Sequence, residues 1–454
     1  MRMNLRNYGV HYRDHPMDGF TKCCTGKMVF VNVAVCLSIL LLVIGLSVGL
    51  SISTFKGSDA LDSTPLIDGH NDLPYNLYTM LNNNLSAFHF EEDLRDNDVW
   101  GRTACSSCFT DLPRLREGKV GGQFWVAYTD CDSQYKDSLQ LTLRQIDVIK
   151  RLINLYPNNL EFVTDAAGID KAWRNGKIAS MIGVEGGHSL DSSLAVLRLY
   201  YELGVRYVTL THTCNTPWAD ASTMEDGFVY NLTEFGNVIV HEMNRLGMLV
   251  DLSHVSHNVM REVLAITKAP VIFSHSSAFS ICDHYRNVPD DALELVKRNN
   301  GIVMVNFYSN FVNCNKTRNA TMQDVIDHIN YIRNLIGVDH VGIGADYDGV
   351  SEVPDELDDV SKYPALFDRL YEDETEPRWT KEDLEKLAGK NFIRVFQAVE
   401  AVRDSLSSES PREDVIDGHE LYIAQQWENL SPGGCQTAKE WKNINITAGA
   451  QTQE

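Results

Sequence analysis

The chain has 454 residues, of which 44% are hydrophobic, and carries a formal net charge of -22 at pH 7. This length can bury one large α/β core or two ordinary ones, and the composition is that of a globular protein. The negative charge argues against a nucleic-acid-binding protein, because a polyanion would be repelled and the sequence has no basic run to attract it.

An apolar stretch near the amino terminus has the features of a membrane span. No charged residue lies between Lys27 and Lys56, and residues 28–52 are rich in Val, Leu and Ile. As a helix this stretch could cross a hydrocarbon layer of about 30 Å, and it is longer than the apolar part of an ordinary signal peptide. The excess of Arg and Lys in residues 1–27 predicts a cytosolic amino terminus by the positive-inside rule.

We therefore predict a cytoplasmic tail (1–27), a transmembrane signal-anchor (28–52), a linker (53–63) and an extracellular remainder. The protein would then be a single-pass type II protein of the plasma membrane. If the apolar stretch were cleaved, the protein would instead be secreted.

Glycosylation triplets and cysteines agree with that topology, because both groups follow the predicted span. Five Asn-x-Ser/Thr triplets are candidate glycosylation sites, at Asn84, Asn231, Asn315, Asn319 and Asn445. A sixth triplet, at Asn429, is a weaker candidate because a Pro follows its Ser. The cysteines after the span are odd in number, so one thiol is left over, and an intermolecular bridge is a natural use for it. Cys105 and Cys108 have the spacing of a redox motif, but one such pair indicates no more than a local bridge.

Apolar stretches typical of buried strands alternate with amphipathic stretches beyond the linker. The strand-like segments are residues 178–184, 206–211, 248–252, 270–274, 301–307 and 341–344, and the helix-like segments are 192–203, 237–246, 258–267, 291–298 and 322–336. Strands that are buried on both faces and separated by single helices predict a parallel sheet with right-handed crossovers.

An opening strand near Leu66 and one further strand within residues 100–165 bring the predicted count to eight. We therefore predict an α/β fold, a closed (β/α)8 barrel of the TIM type over residues 64–406, with helices from Ala365 onwards that break near Pro377. Residues 407–454 form a predicted extension, packed on the barrel or at a dimer interface.

Imidazoles and carboxylates follow the predicted strands one after another. They are His70, Asp72, Glu185, His212, His254, His275 and Asp346. A barrel brings these strand ends to one rim, where two imidazoles and a carboxylate can hold one metal ion, and a shared carboxylate allows two ions about 3.5–4 Å apart. Glu185 suits the shared position, because a carboxylate has two oxygens and a neutral histidine has one free lone pair. A lone histidine at a strand end is more often a structural residue than a metal ligand. A structural role does not readily explain seven such residues at successive strand ends.

Two nearby histidines are excluded from the predicted ligand set. Glu185 and His188 have the spacing of a helical metal motif, but the two glycines between them break a helix. His257 follows His254 at a similar spacing, yet only His254 ends a strand. We expect neither to bind the metal, with His188 behind the ligands.

Seven strings in this order closely resemble the membrane (renal) dipeptidase family, a zinc branch of the metal-dependent amidohydrolase barrels. They are PLIDGHNDLP, GVEGGHSL, LTHTCNTPWAD, DLSHVS, VIFSHSSA, YRNVPDD and IGADYDGV, and the resemblance covers residues 66–399. It implies two zinc ions per chain, the first bound by His70 and Asp72 and the second by His254 and His275, with Glu185 as the bridge.

The same resemblance implies the remaining roles. Asp346 would be the catalytic acid and base, His212 would polarise the scissile carbonyl, and Arg286 would hold the substrate carboxylate. The resemblance also implies two internal disulfides, Cys131 with Cys214 and Cys282 with Cys314, and a thiol, Cys435, that links the subunits of a homodimer. The resemblance assigns no role to Cys105 and Cys108. Mammalian members use a carboxyl-terminal glycolipid signal, which the sequence lacks, so the predicted span would replace it.

These roles describe a dipeptidase in which a hydroxide bridging two zinc ions attacks the peptide bond. A guanidinium that meets a free carboxylate in bidentate geometry favours short substrates. The same metal site could instead act on another small amide, a lactone or a β-lactam, since barrels of this type differ in their loops. A catalytically silent receptor-like ectodomain is the alternative from another class, and the complete set of ligands argues against it.

Overall fold

The structure is a computed structural model that describes residues 55–224 and 231–417. The chain divides into two compact units, Met1–Phe55 and Lys56–Glu454, and every helix and strand described lies in the second. The predicted tail, the predicted span and most of the predicted extension, with Cys435 and Asn445, lie outside the described residues. None of the described helices combines the length and the apolar character needed to cross a bilayer.

One parallel sheet of nine strands forms the centre of the described domain. The strands are β1 (Leu66–Asn71), β2 (Val120–Tyr128), β3 (Leu160–Phe162), β4 (Ile178–Glu185), β5 (Val205–Thr209), β6 (Leu249–Asp251), β7 (Ile272–Phe273), β8 (Ile302–Val305) and β9 (Val341–Ile343). Their order is β2-β1-β9-β8-β7-β6-β5-β4-β3, and β2 also pairs with β4. That pairing closes eight of the strands into a barrel, so the predicted barrel is confirmed.

The ninth strand differs from the prediction, because residues 100–165 contribute two strands rather than one. The extra strand, β3, pairs only with the beginning of β4, from Leu160 beside Ile178, while β5 pairs with β4 from Ile182 onwards. It therefore lies outside the ring. Of its three residues only Leu160 is buried, so β3 has no run of apolar residues by which the sequence could reveal it.

Helices follow most of the strands. They are α1 (Leu73–Leu81), α2 (Leu112–Glu117), α3 (Ser138–Leu155), α4 (Ala166–Arg174), α5 (Leu194–Glu202), α6 (Glu234–Leu246), α7 (His257–Ile266), α8 (Asp290–Asn299), α9 (Ser309–Val312), α10 (Met322–Ile336), α11 (Tyr363–Glu372), α12 (Lys381–Glu385) and α13 (Asn391–Ser405). Short 3₁₀ turns lie between several of these elements, and a π-helical turn, Lys386–Lys390, joins α12 to α13.

Helix ends follow local sequence signals to within one to three residues. The cap of α5 is Ser193, whose hydroxyl accepts from the amide of Val196, one residue beyond the predicted start. Helix α6 ends at Gly247, which adopts a left-handed conformation that glycine reaches without strain. Helix α10 begins with a capping box between Thr321 and Asp324 and has the predicted bounds.

The segment predicted as a linker is partly folded. Residues Gly57–Asp62 form a 3₁₀ helix in which Ala60 and Leu61 are buried. The amide of Ser58 donates to a carboxylate oxygen of Asp368 on α11, at 2.7 Å. The compact unit that begins at Lys56 therefore includes most of the segment predicted as a linker.

The last helix covers one end of the barrel. Phe392, Val395, Phe396 and Val399 on α13 are buried in one cluster with residues of the barrel strands, and the rings of Phe392 and Phe124 lie 5.4 Å apart. This packing leaves the opposite end, where the strands finish, free to carry polar side chains.

Candidate metal centre and active site

The seven predicted strand-end residues meet at one end of the barrel. His70 lies in β1, Glu185 ends β4, and Asp72, His212, His254, His275 and Asp346 lie within three residues of the strands they follow. All seven are at or near a cavity of about 460 Å³, which six of them line together with Arg286. The exception is His70, which is fully buried beneath them.

The first candidate metal group consists of His70, Asp72 and Glu185. The Nε2 atom of His70 lies 3.0 Å from Oδ2 of Asp72 and 3.6 Å from Oε2 of Glu185. Its other nitrogen, Nδ1, lies 3.1 Å from the hydroxyl of Tyr207, which itself donates to the carbonyl of Gly69. The hydroxyl must therefore accept from Nδ1–H, which leaves Nε2, directed at the two carboxylates, as the nitrogen that can bind a proton or a metal ion.

Two polar atoms of this first group fit a site that binds a cation. Nε2 of His70 and Oδ1 of Asp72 have no hydrogen-bond partner in the described part of the chain. Burial opposes the charged form of His70, but the carboxylates of Glu185 and Asp72 outweigh it and raise its pKa well above the ordinary value. A divalent cation would supply the positive charge that these carboxylates otherwise draw from a proton.

The second candidate group consists of Glu185, His254 and His275. Oε1 of Glu185 lies 2.9 Å from Nε2 of His254 and 3.3 Å from Nε2 of His275, and the two Nε2 atoms are 2.9 Å apart. Burial lowers the pKa of both imidazoles well below the ordinary value, so both rings are neutral and can act as ligands.

A hydrogen-bond chain orients His275 within this second group. Nδ1 of His275 lies 2.8 Å from the hydroxyl of Ser274, and that hydroxyl donates to Asp251 at 2.5 Å. The hydroxyl therefore accepts from Nδ1–H, and the lone pair of Nε2 faces Glu185. Glu185 thus offers Oε2 to the first group and Oε1 to the second, and each group has the imidazole and carboxylate donors that suit a divalent metal ion.

Asp346 lies beside the first group with a carboxyl that titrates near neutral pH. Its Oδ1 is 3.8 Å from Nε2 of His70, and its Oδ2 accepts from the amide of Asn306 at 2.8 Å. Burial, together with the charges of Asp72 and Glu185, raises the pKa of Asp346 to about 7. Such a group can take up a proton and return it under physiological conditions.

His212 and Arg286 lie on the walls of the cavity. The ring of His212 packs 4.3 Å from that of His254, and burial lowers its pKa well below the ordinary value, so the imidazole is neutral. Arg286 is 2% exposed and donates to the carbonyl of His275 and the hydroxyl of Ser276. Its Nε has no hydrogen-bond partner among the described residues. A buried guanidinium that is incompletely bonded suits a carboxylate supplied from outside.

His188 and His257 lie outside the two groups, as expected. Nε2 of His188 is 3.0 Å from the carbonyl of Thr129, and Nε2 of His257 is 3.0 Å from the carbonyl of Asn287. Both histidines thus bind backbone carbonyls of loops, and neither hydrogen bond involves a residue of the two metal groups.

Two residues that contact the site are not in the predicted set. Asn306 directly follows β8. The search for polar residues just after predicted strands would have found it if amides had been counted with acids and histidines. Tyr207 lies within β5, where the sequence reads as an ordinary buried strand and carries no signal of a polar contact.

Three disulfides are present among the described residues. The structure joins Cys131 to Cys214 and Cys282 to Cys314, the pairs implied by the resemblance, and also joins Cys105 to Cys108. The Cys282–Cys314 bond links the loop that carries Arg286 to the loop after β8. Of the predicted glycosylation sites, Asn84, Asn315 and Asn319 are exposed and Asn231 is half-buried.

Comparison with known proteins gives a match over nearly all of the described domain. A family model described as membrane dipeptidase (peptidase family M19) matches residues 56–410. Dipeptidase 3 of Mus musculus is 45% identical over 353 residues, which are 77% of this chain and 67% of that protein.

Solved structures share the fold at lower identity. A metallopeptidase of family M19, dipeptidase AC, aligns with a TM-score of 0.64 at 23% identity, over 74% of this chain and 98% of its own. A metallopeptidase from Rhodobacter sphaeroides, bound to a phosphinate mimic of the dipeptide L-Ala-D-Ala, aligns with a TM-score of 0.62 at 22% identity, over 74% and 99%.

Proposed function

Because the chain belongs to the membrane dipeptidase family, whose members are peptide-bond hydrolases, we propose that it cleaves dipeptides at a centre of two zinc ions. The observation that carries this proposal is the position of Glu185, whose two oxygens face two separate groups of buried ligands. One group would consist of His70 and Asp72 and the other of His254 and His275, with Glu185 as the bridge.

Zinc bound there would lower the pKa of a water molecule and polarise the scissile carbonyl. Asp346 would accept the proton of that water and deliver it to the leaving amine, for which a pKa near neutrality is suited. His212, neutral because it is buried, would donate a hydrogen bond to the oxyanion that develops on the carbonyl.

Arg286 would determine the length of the substrate. Its guanidinium would bind the terminal carboxylate of a dipeptide, and a longer peptide would place an uncharged amide there instead. The Rhodobacter sphaeroides relative, solved with a dipeptide mimic, supports the choice of a dipeptide as the substrate class.

The first test is hydrolysis of Gly-Leu by the purified full chain, with the zinc content measured on the same sample. We expect two zinc ions per chain, loss of turnover with a chelator and recovery on adding zinc. Two bound zinc ions without turnover would contradict the substrate class, and a protein that binds no zinc would contradict the site itself.

We further propose that residues 28–52 anchor the protein in the plasma membrane with the catalytic domain outside the cell. The distribution of positive charge in residues 1–27 and the exposed glycosylation triplets at Asn84, Asn315 and Asn319 support this topology. In intact cells, we expect a tag at the carboxyl terminus to be accessible to antibody and a tag at the amino terminus to be protected. The reverse result would contradict the topology.

Cys435 is the proposed link between the subunits of a homodimer. The other cysteines beyond the predicted span are paired in the three disulfides, which leaves Cys435 as the odd thiol. A dimer on a non-reducing gel should become a monomer in Cys435→Ser, whereas a dimer that persists in this variant would refute the assignment.

A further inference from the structure

The Cys105–Cys108 disulfide has no part in the proposed reaction, yet it borders the cavity in which that reaction would occur. The bond closes a loop of four residues, and both of its cysteines are buried. The two residues between them, Ser106 and Ser107, line the same cavity as Glu185. A pair of small side chains on a cross-linked loop therefore forms part of the cavity wall.

Hydrogen bonds connect this wall to the metal site. The carbonyl of Ser107 accepts from Nδ2 of Asn76 at 3.0 Å, and the same nitrogen lies 3.1 Å from the carbonyl of Asp348. The hydroxyl of Thr110 donates to the buried carboxylate of Asp348. Since Asp348 is two residues from Asp346, the loop is held in a defined position relative to the proposed acid and base.

The topology of the barrel places this wall away from Arg286. The loop belongs to the connection between β1 and β2, and Arg286 belongs to the connection between β7 and β8. In the closed ring, β7 is three strands from β1 and four strands from β2 by way of β9 and β8. Four strands is the largest separation that a ring of eight allows. A dipeptide whose carboxylate binds Arg286 would therefore extend its amino-terminal residue toward the Ser106–Ser107 wall.

We propose, on the basis of the dipeptidase function above, that the Cys105–Cys108 loop determines which amino-terminal residues the substrate can have. A short cross-linked loop has few conformations, so it cannot move aside for a bulky side chain without breaking its hydrogen bonds. The loop therefore selects small amino-terminal residues and leaves the carboxyl-terminal residue, on the side of Arg286, unaffected.

The test uses the zinc-loaded full chain and two substrate series. One series varies the amino-terminal residue (Ala-Gly, Leu-Gly, Trp-Gly), and the other varies the carboxyl-terminal residue (Gly-Ala, Gly-Leu, Gly-Trp). In the double variant Cys105→Ser/Cys108→Ser, we expect the kcat/KM ratio of Trp-Gly to Ala-Gly to rise about 10-fold, the lower end of the effect of one group in a pocket. The ratio of Gly-Trp to Gly-Ala should stay within about 2-fold.

A second variant keeps the disulfide and narrows the cavity at the Ser106–Ser107 wall. It tests the proposal even if the double variant does not fold. Ser107→Trp should lower the ratio of Trp-Gly to Ala-Gly and leave the carboxyl-terminal series unchanged. Thr103→Trp is the matched control, since Thr103 is exposed two residues before Cys105 and is not among the residues that line the cavity.

Each outcome supports or contradicts the proposed role of the Cys105–Cys108 loop in substrate selection. Equal changes in both series, or no change in either, would overturn the role of the loop while leaving the dipeptidase function intact. If the zinc-loaded wild type hydrolysed no dipeptide of either series, the proposed function would fail, and the role of the loop with it.

Discussion

The hydroxyl of Tyr207 and that of Ser274 decide how two histidines of the site present their nitrogens. Each hydroxyl donates to an oxygen and therefore accepts from a ring N–H, on His70 and on His275 respectively. Each ring is left with a lone pair on Nε2, the form in which imidazole binds a metal. At the scale of single residues, the orientation of the proposed ligands thus depends on neighbours that belong to neither metal group.

Arg286→Ala tests the role of the guanidinium. Removing the group that would bind the substrate carboxylate should raise KM for Gly-Leu by about 10–100-fold with a smaller change in kcat, since a hydrogen bond to a charged group contributes about 1.5–3 kcal/mol. Steady-state kinetics at saturating zinc give both constants. A loss confined to kcat would show that Arg286 acts in the chemical step instead.

Asn306→Ala tests whether the amide positions Asp346. Without the 2.8 Å hydrogen bond to Oδ2, the carboxyl can rotate away from the first metal group. We expect kcat to fall by about 10–100-fold, as for other groups that orient a site from behind, with two zinc ions still bound. Asn306→Gln, which keeps the amide, should recover part of the activity. An unchanged kcat in the alanine variant would contradict the positioning role.

At the scale of elements, strands β5 to β9 are short, and the loops after them carry most of the side chains of the site. Strand β7 has two residues, yet the loop after it holds His275 and Arg286. His328 on α10 supports this loop, since its Nδ1 accepts from the amide of Ala278 and its Nε2 donates to the carbonyl of Val312. The buried ring thereby ties the loop after β7 to the loop after β8.

His328 should make the domain sensitive to acid. Burial lowers its pKa to about 4, below the value near 6.5 expected in the unfolded chain. The neutral ring therefore contributes stability that is fully present above pH 6.5 and is lost as the pH falls toward 4. We expect the wild type to lose about 3 kcal/mol more of its free energy of unfolding over this interval than His328→Gln. Denaturant titrations at several pH values measure the difference, and parallel curves would contradict the assignment.

At the scale of the whole molecule, folding brings three carboxylates, those of Asp72, Glu185 and Asp346, to one end of the barrel around the buried ring of His70. A positive charge between them, such as a metal ion, would reduce their mutual repulsion. The stability of the domain should therefore depend on its metal ions.

Removal of zinc should destabilise the domain. Ligands that bind only the folded state add about 4 kcal/mol at a thousand times their Kd, so the Tm should fall by about 5–10 °C with a chelator. Differential scanning calorimetry gives the shift, with zinc re-addition and magnesium as matched controls. A Tm that does not respond to the chelator would show that the ligand groups hold no metal.

The sequence by itself determined the barrel and the residue types of the site. Strands and helices are local patterns of apolar residues. In a barrel the polar residues at the ends of the strands meet at one rim, and His70, Glu185 and Asp346 do so. The resemblance supplied what periodicity could not, namely the pairing of distant cysteines and the role of Arg286.

Only the tertiary structure decided the contacts between distant segments. Tyr207 lies inside β5 and meets His70 through the barrel interior, Asn306 reaches Asp346 from the neighbouring strand, and β3 joins the sheet outside the ring. The serines between Cys105 and Cys108 reach the cavity wall in the same way. None of these contacts has a local signature, because each depends on how separate segments pack in the folded domain.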